Sequence, residues 1–182
     1  MRQFALAVAL LLVTAVFPTK IHADVNSASS AALTPTVKPA TEAKDIRVVA
    51  LENTFVKYNS PLKPYAKEYV QTADKYSIDW KLLPAISGLE STFGNALISG
   101  TYNAYGWGSG TIYFKSWEDG IETIDKSLKE DYMGKWKATD VWSIGPIYAE
   151  SPTWSVRVNR LMNEINQEYL ALSAQKSLIP NL

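Results

Sequence analysis

Between Trp80 and Phe93 the chain reads Trp-Lys-Leu-Leu-Pro-Ala-Ile-Ser-Gly-Leu-Glu-Ser-Thr-Phe. Leu82, Leu83, Ile86, Leu89 and Phe93 recur at helical spacing and cover most sides of the helix they imply. A helix that is apolar nearly all round must lie inside a shell of other elements. The segment therefore predicts a buried central helix. Asp79 is placed to cap its start, and Pro84 falls just past the first turn, where a missing N–H costs least. Gly94 suits the left-handed residue that ends a helix.

The flanking sequence supplies the shell. Ile46 to Tyr58 carries Val49, Phe55 and Val56 at helical spacing. Asn59-Ser60-Pro61 stops that helix and starts a second running to about Lys75, with Ser60 as N-cap and Pro61 at the first position. Ser116-Trp117-Glu118-Asp119 resembles a capping box and opens a helix to about Asp131, with Ile121, Ile124 and Leu128 inward. A short helix starts between Thr139 and Ile144, and a last one runs from Trp154 to Leu172. The section Asn95 to Lys115 holds four glycines and repeated Tyr and Trp. It reads as ordered loops with short strands bordering a cleft. The expected class is mainly α, with a central buried helix and an irregular loop and short-strand section beside the cleft.

Residues 1–23 have the pattern of an export signal: Arg2, an apolar run from Phe4 to Phe17, and Ala23 before a cleavage point. The apolar run is shorter than the roughly 20 residues of a spanning helix. Residues 24–44 are rich in Ser, Ala, Thr, Pro and Val and lack aromatics, which is the composition of a flexible linker. One domain is expected over 45–175, followed by a tail at 176–182. The expected location is outside the cell or in its envelope, with retention by an uncleaved leader as the other outcome. No membrane span remains after cleavage.

Missing residue types restrict the chemistry. The chain has no cysteine, and its only histidine, His22, lies in the leader. Thiol–histidine peptidases, Ser-His-Asp hydrolases and histidine-ligated zinc amidases are thereby excluded from the mature chain. No cofactor and no metal is implied. The full chain has 18 basic and 18 acidic residues; removing 1–23 takes away Arg2 and Lys20, leaving 16 against 18. No basic stripe exists to draw nucleic acid. Carboxylates beside abundant aromatics point to glycosides.

Glu90 is the focus. It sits near the end of the apolar helix, within a turn of Ile86, Leu89 and Phe93. A carboxylate there is costly without a reason, and a carboxyl in apolar surroundings is what a general acid requires. The bland alternative is a helix-end carboxylate facing solvent. Tyr102, Tyr105, Trp107, Tyr113 and Trp154 are candidates to stack on sugar faces, and Ser91 and Asn103 to bind acetamido groups. Packing is the competing role for each aromatic, and back-bonding to its own helix the competing role for Ser91. Trp117 and Trp136 are assigned to packing.

Ala85-Ile86-Ser87-Gly88-Leu89-Glu90-Ser91-Thr92-Phe93-Gly94 resembles the catalytic-helix motif of the bacterial endo-β-N-acetylglucosaminidase family and the related soluble lytic transglycosylases. Asn103 to Gly108 is similar to that family's Asn-x-(aromatic)-Gly segment, and Phe114 to Ile121 to its later helix start. Tyr148-Ala149-Glu150-Ser151-Pro152-Thr153-Trp154 is similar to its Tyr-Ala-Thr-Asp-Pro-x-Tyr segment. The resemblance spans about Ser60 to Ile165 and implies a lysozyme-like fold. It implies Glu90 as general acid, Tyr148 in the active site, and peptidoglycan glycan strands as partner of a monomeric enzyme. Ser151 departs from the family's aspartate, and Ser91 to Trp117 contains no acid. Glu118, Asp119, Glu122 and Glu150 are the remaining candidates for a second carboxylate. A one-carboxylate route, closed by the substrate's own acetamido oxygen or 6-hydroxyl, is the alternative. Hydrolysis, a lytic transglycosylase reaction leaving anhydro-MurNAc ends, and a non-catalytic glycan-binding module are thus the competing outcomes.

Overall fold

A computed structural model describes residues 44–178. The leader, the linker up to residue 43 and residues 179–182 lie outside the described residues. The described residues form six α-helices: α1 (Ile46–Lys57), α2 (Ala66–Tyr76), α3 (Leu82–Ser91), α4 (Trp117–Ser127), α5 (Val141–Tyr148) and α6 (Trp154–Leu178). A 3-10 turn, Lys63–Tyr65, precedes α2, and a π-helix, Leu128–Lys135, continues α4. The chain is mainly α, as its periodicities imply. No helix among the described residues is long and apolar enough to cross a membrane.

The apolar segment is the centre of the domain. Leu82, Leu83, Ala85, Ile86 and Phe93 are buried, and α3 packs on α6 and α4. α6 also lies against α1 and α5, while α2 joins α1 to α4. Ser60 does cap, its hydroxyl accepting from Leu62 N at 3.0 Å, but a 3-10 turn intervenes before α2. Asp79 caps the turn before α3, not α3 itself, by accepting from Lys81 N at 3.0 Å. α3 stops at Ser91, earlier than Gly94 suggests. The N–H groups of Thr92 and Phe93 both turn back to the Ser87 carbonyl, with Thr92, Phe93 and Gly94 at positive φ. This reversal buries Phe93 and leaves Glu90 in the last turn.

The short strands expected between Asn95 and Lys115 do not form among the described residues. One cross-loop bond exists, Phe114 N donating to Thr101 O at 2.9 Å. Gly100, Gly106, Gly108 and Gly110 all adopt positive φ, so the chain keeps reversing before a second ladder rung can form. Ser116 caps α4 through Asp119 N at 3.2 Å, whereas the Asp119 carboxylate serves Lys115 N at 2.9 Å. The box is therefore closed one residue early. α6 continues to Leu178, so residues 176–178 are helix and not tail.

Candidate active site

Glu90 reaches a cleft of about 490 Å³ lined by Glu90, Ala96, Leu97, Ile98, Asn103, Gly106, Ser109 and Gly110. It is the only acid among those residues. Its Oε1 accepts a hydrogen bond from Trp154 Nε1 at 2.7 Å. Its Oε2 lies against Gly106: a Cβ built there would stand 2.8 Å from it. Gly106 has φ +66°, a conformation in which glycine avoids the Cβ clash of other residues. The carboxylate is thus held by an indole on one oxygen and by bare backbone at the other.

The N–H donor is itself fixed. Trp154 is buried at the start of α6, and its indole stacks on Tyr148 with centroids 4.7 Å apart and planes 25° apart. Tyr148, the last residue of α5, donates its hydroxyl proton to the Tyr105 carbonyl at 2.7 Å. Burial, with the Glu90 carboxylate adding to it, pushes the Tyr148 phenol well above its ordinary range. That hydroxyl stays protonated at any ordinary pH, and its one proton is committed to Tyr105. Its oxygen is left as an acceptor. A second depression of about 330 Å³ lies beside the first, sharing Gly106 and Ser109 and lined also by Trp107, Gly108, Tyr132 and Tyr148.

Several expected ligand-binding side chains instead build this frame. Ser91 is buried, with its hydroxyl near Ser87 O at 3.0 Å and Ala104 O at 2.8 Å and accepting from Gly94 N at 2.8 Å. Its hydrogen-bonding capacity is used internally, so it is not free for an acetamido group. Asn103 is equally committed. Its amide donates to Trp107 O at 2.8 Å and Ile112 O at 3.1 Å, and its Oδ1 accepts from Tyr105 N at 3.3 Å and Trp107 N at 3.1 Å. One buried side chain thereby knots the loop that carries Gly106. Tyr105 is a core residue, its hydroxyl 2.9 Å from that of Tyr69, and offers no face to a groove. Trp154 orients the acid and is too buried to act as an open stacking surface.

Tyr102 is exposed and sits edge-on against Trp117 at 5.3 Å. Trp107 is half-buried and faces Tyr132 and Tyr148. Tyr113 is exposed. Glu118 is exposed in the first turn of α4, and Glu150 lines a separate depression with Gly145, Pro146 and Ser155. Neither belongs to the residues around Glu90, nor do Asp119 and Glu122. Asp119 serves Lys115 N, and Glu122 is ion-paired with Lys75 at 2.5 Å. Trp136, assigned to packing, stands against Tyr132 but is largely exposed.

Sequence reasoning missed the roles of Gly106, Tyr132 and the Trp154 N–H. The spacing of a glycine three residues after Asn103 was visible, but its approach to Glu90 depends on the fold. A comparison with protein-family models and with curated proteins finds no match to either.

Proposed function

We propose that this chain cleaves β-1,4 glycosidic bonds of peptidoglycan glycan strands, with Glu90 as general acid, in the manner of the endo-β-N-acetylglucosaminidases its motifs resemble. The observation that carries the reading is the state of Glu90. It is the lone acid of an open cleft, positioned by the Trp154 indole and by the close backbone of Gly106. The lysozyme-like relationship of the fold belongs to the same proposal.

With no second acid lining the cleft, a substrate-assisted route fits best. The Glu90 carboxyl gives its proton to the bridging oxygen as the C1–O bond breaks. The acetamido oxygen of the same sugar bonds to C1, forming an oxazolinium. Water then attacks C1, reopens that ring and returns a proton to Glu90. Tyr148 accepts the acetamido N–H through its free lone pair, which orients the acetamido oxygen toward C1 and raises its electron density. Closure by the 6-hydroxyl would instead give the 1,6-anhydro sugar of a lytic transglycosylase, and the lone acid is compatible with it.

Mass spectrometry of fragments released from purified peptidoglycan by residues 24–182 tests both. Reducing GlcNAc ends support the reading adopted here, anhydro-MurNAc ends support transglycosylation, and reducing MurNAc ends mark a muramidase. Wall binding by folded protein without any fragment would leave a glycan-binding module and sink the enzyme.

Gly106→Ala is expected to lower turnover about 100-fold, because a methyl group 2.8 Å from Oε2 must displace the carboxylate. The left-handed backbone adds about 1–2 kcal/mol of destabilisation. Turbidity loss of cell walls and thermal melting measure the two effects separately. A variant with normal turnover would mean that the Gly106 contact does not matter.

A further inference from the structure

The π-helix Leu128–Lys135 is the least common element of the fold, and such turns often occur at functional sites. It closes with Trp136 N donating to Asp131 O at 3.0 Å, five residues back. The wider turn places Tyr132 in the wall of the second depression and Trp136 against Tyr132. Tyr132 is buried and lines it, with its ring 5.8 Å from Tyr148 and 6.2 Å from Trp107. Trp136 stands edge-on to Tyr132 at 5.0 Å and an interplanar angle of 82°. It is nevertheless 54% exposed. A row of rings thus leads from the Trp154 indole on Glu90 through Tyr148 and Tyr132 to an indole in solvent.

We infer that Trp136, held by Tyr132, is a stacking platform for a pyranose of the glycan strand lying beyond the sugars at Glu90. The proposal rests on the glycosidase reading of the cleft and adds a distal subsite to it. The commitment to a saccharide follows from continuity. The two depressions share Gly106 and Ser109, and the second is walled by Tyr132, the ring against which Trp136 stands. The apolar C–H face of a pyranose matches an indole face. The anchoring also fits. A solvent-exposed indole braced by a buried ring loses little rotational freedom on binding, which keeps the cost of ordering low.

The test uses residues 24–182 carrying Glu90→Gln, so that sugars bind without turnover, with and without Trp136→Ala. The probes are chitotriose and chitohexaose, followed by calorimetry. A 5-fluorotryptophan label at Trp136, identified by loss of its 19F signal in the Trp136→Ala protein, reports contact directly. The expected result is an approximately tenfold loss of chitohexaose affinity in the Trp136→Ala protein, an unchanged chitotriose affinity, and a shift of the Trp136 signal with chitohexaose alone. Binding of both probes with equal affinity in the two proteins, and no shift of that signal, overturns the platform and leaves the cleft reading standing. Failure of both sugars to bind when Trp136 is intact overturns both.

Discussion

Replacing Glu90 with Gln is expected to lower the rate of glycan cleavage about 1,000-fold, within the usual range for removal of a general acid. Folding should be almost untouched. The Gln oxygen can still accept the Trp154 N–H that now bonds Oε1 at 2.7 Å, and substitutions that keep shape and partners move stability by about 0.5 kcal/mol or less. The variant therefore removes a transferable proton and little else. Glu118→Gln and Glu150→Gln are the matched controls. Both side chains are exposed and outside the cleft, so each should retain activity within about threefold, the scale of a small surface effect. The comparison is made by initial rates on soluble glycan fragments, with circular dichroism melts of all four proteins. A large loss in Glu118→Gln or Glu150→Gln would restore a two-carboxylate mechanism, and full activity in Glu90→Gln would remove Glu90 from the chemistry.

Asp125→Asn is expected to stabilise the protein above neutral pH by roughly 4 kcal/mol, a rise in Tm of about 10–20 °C. Asp125 lies on α4, is 1% exposed, and neither carboxylate oxygen has a hydrogen-bond partner. Thr72 is beside it but spends its own proton on the carbonyls of Glu68 at 2.9 Å and Tyr69 at 3.3 Å. Burial, reinforced by the negative charge of Glu122, pushes the Asp125 carboxyl from 3.8 to about 7. Because the folded value is the higher one, the unfolded chain loses its proton first. Below the ordinary carboxyl range both states hold the proton and stability is at its fullest. As pH rises toward 7, stability falls by about 1.4 kcal/mol per unit, and above 7 the loss is complete. An amide in the same space does not ionise. Denaturant melts at pH 4 and pH 8 should therefore nearly coincide for the two proteins at the lower pH and diverge at the higher. Parallel curves at both would show that Asp125 is solvated in a way the structure does not contain.

Asp125 also shows how far the sequence could be read. Ile121, Ile124 and Leu128 mark the inward stripe of α4, and Asp125 lies on the same face between them. The sequence places an acid on that inward face, but its lack of a partner is visible only in the structure. The six helices follow from apolar spacing, since each stripe has a neighbour to bury against. Their starts are less secure. Ser60 and Asp79 both cap, yet the helices begin later because side-chain caps serve tight turns as well as helices. Glu90 was found because it breaks an apolar pattern. Ser91, Asn103 and Tyr105 were misplaced for the opposite reason. Polar and aromatic types suit both a binding groove and a loop scaffold, and only the closure of the Gly106 loop onto α3 decides between them.

The meeting of α5 and α6 fixes the pair of rings that holds Glu90. A Cβ on Gly145 would fall 1.9 Å from the Ser155 hydroxyl oxygen, so the two helices touch almost backbone to side chain. Tyr148 and Trp154 leave this junction three and one residues away, respectively. They are set as one piece, and neither can retreat to admit a bulkier substituent. The rest of the cleft's lining, between Ala96 and Gly110, is loop. If the proposed glycosidase reading holds, variants of this chain that take differently decorated glycans should differ along that loop, with the α5–α6 junction kept as the rigid mount of Glu90's partner.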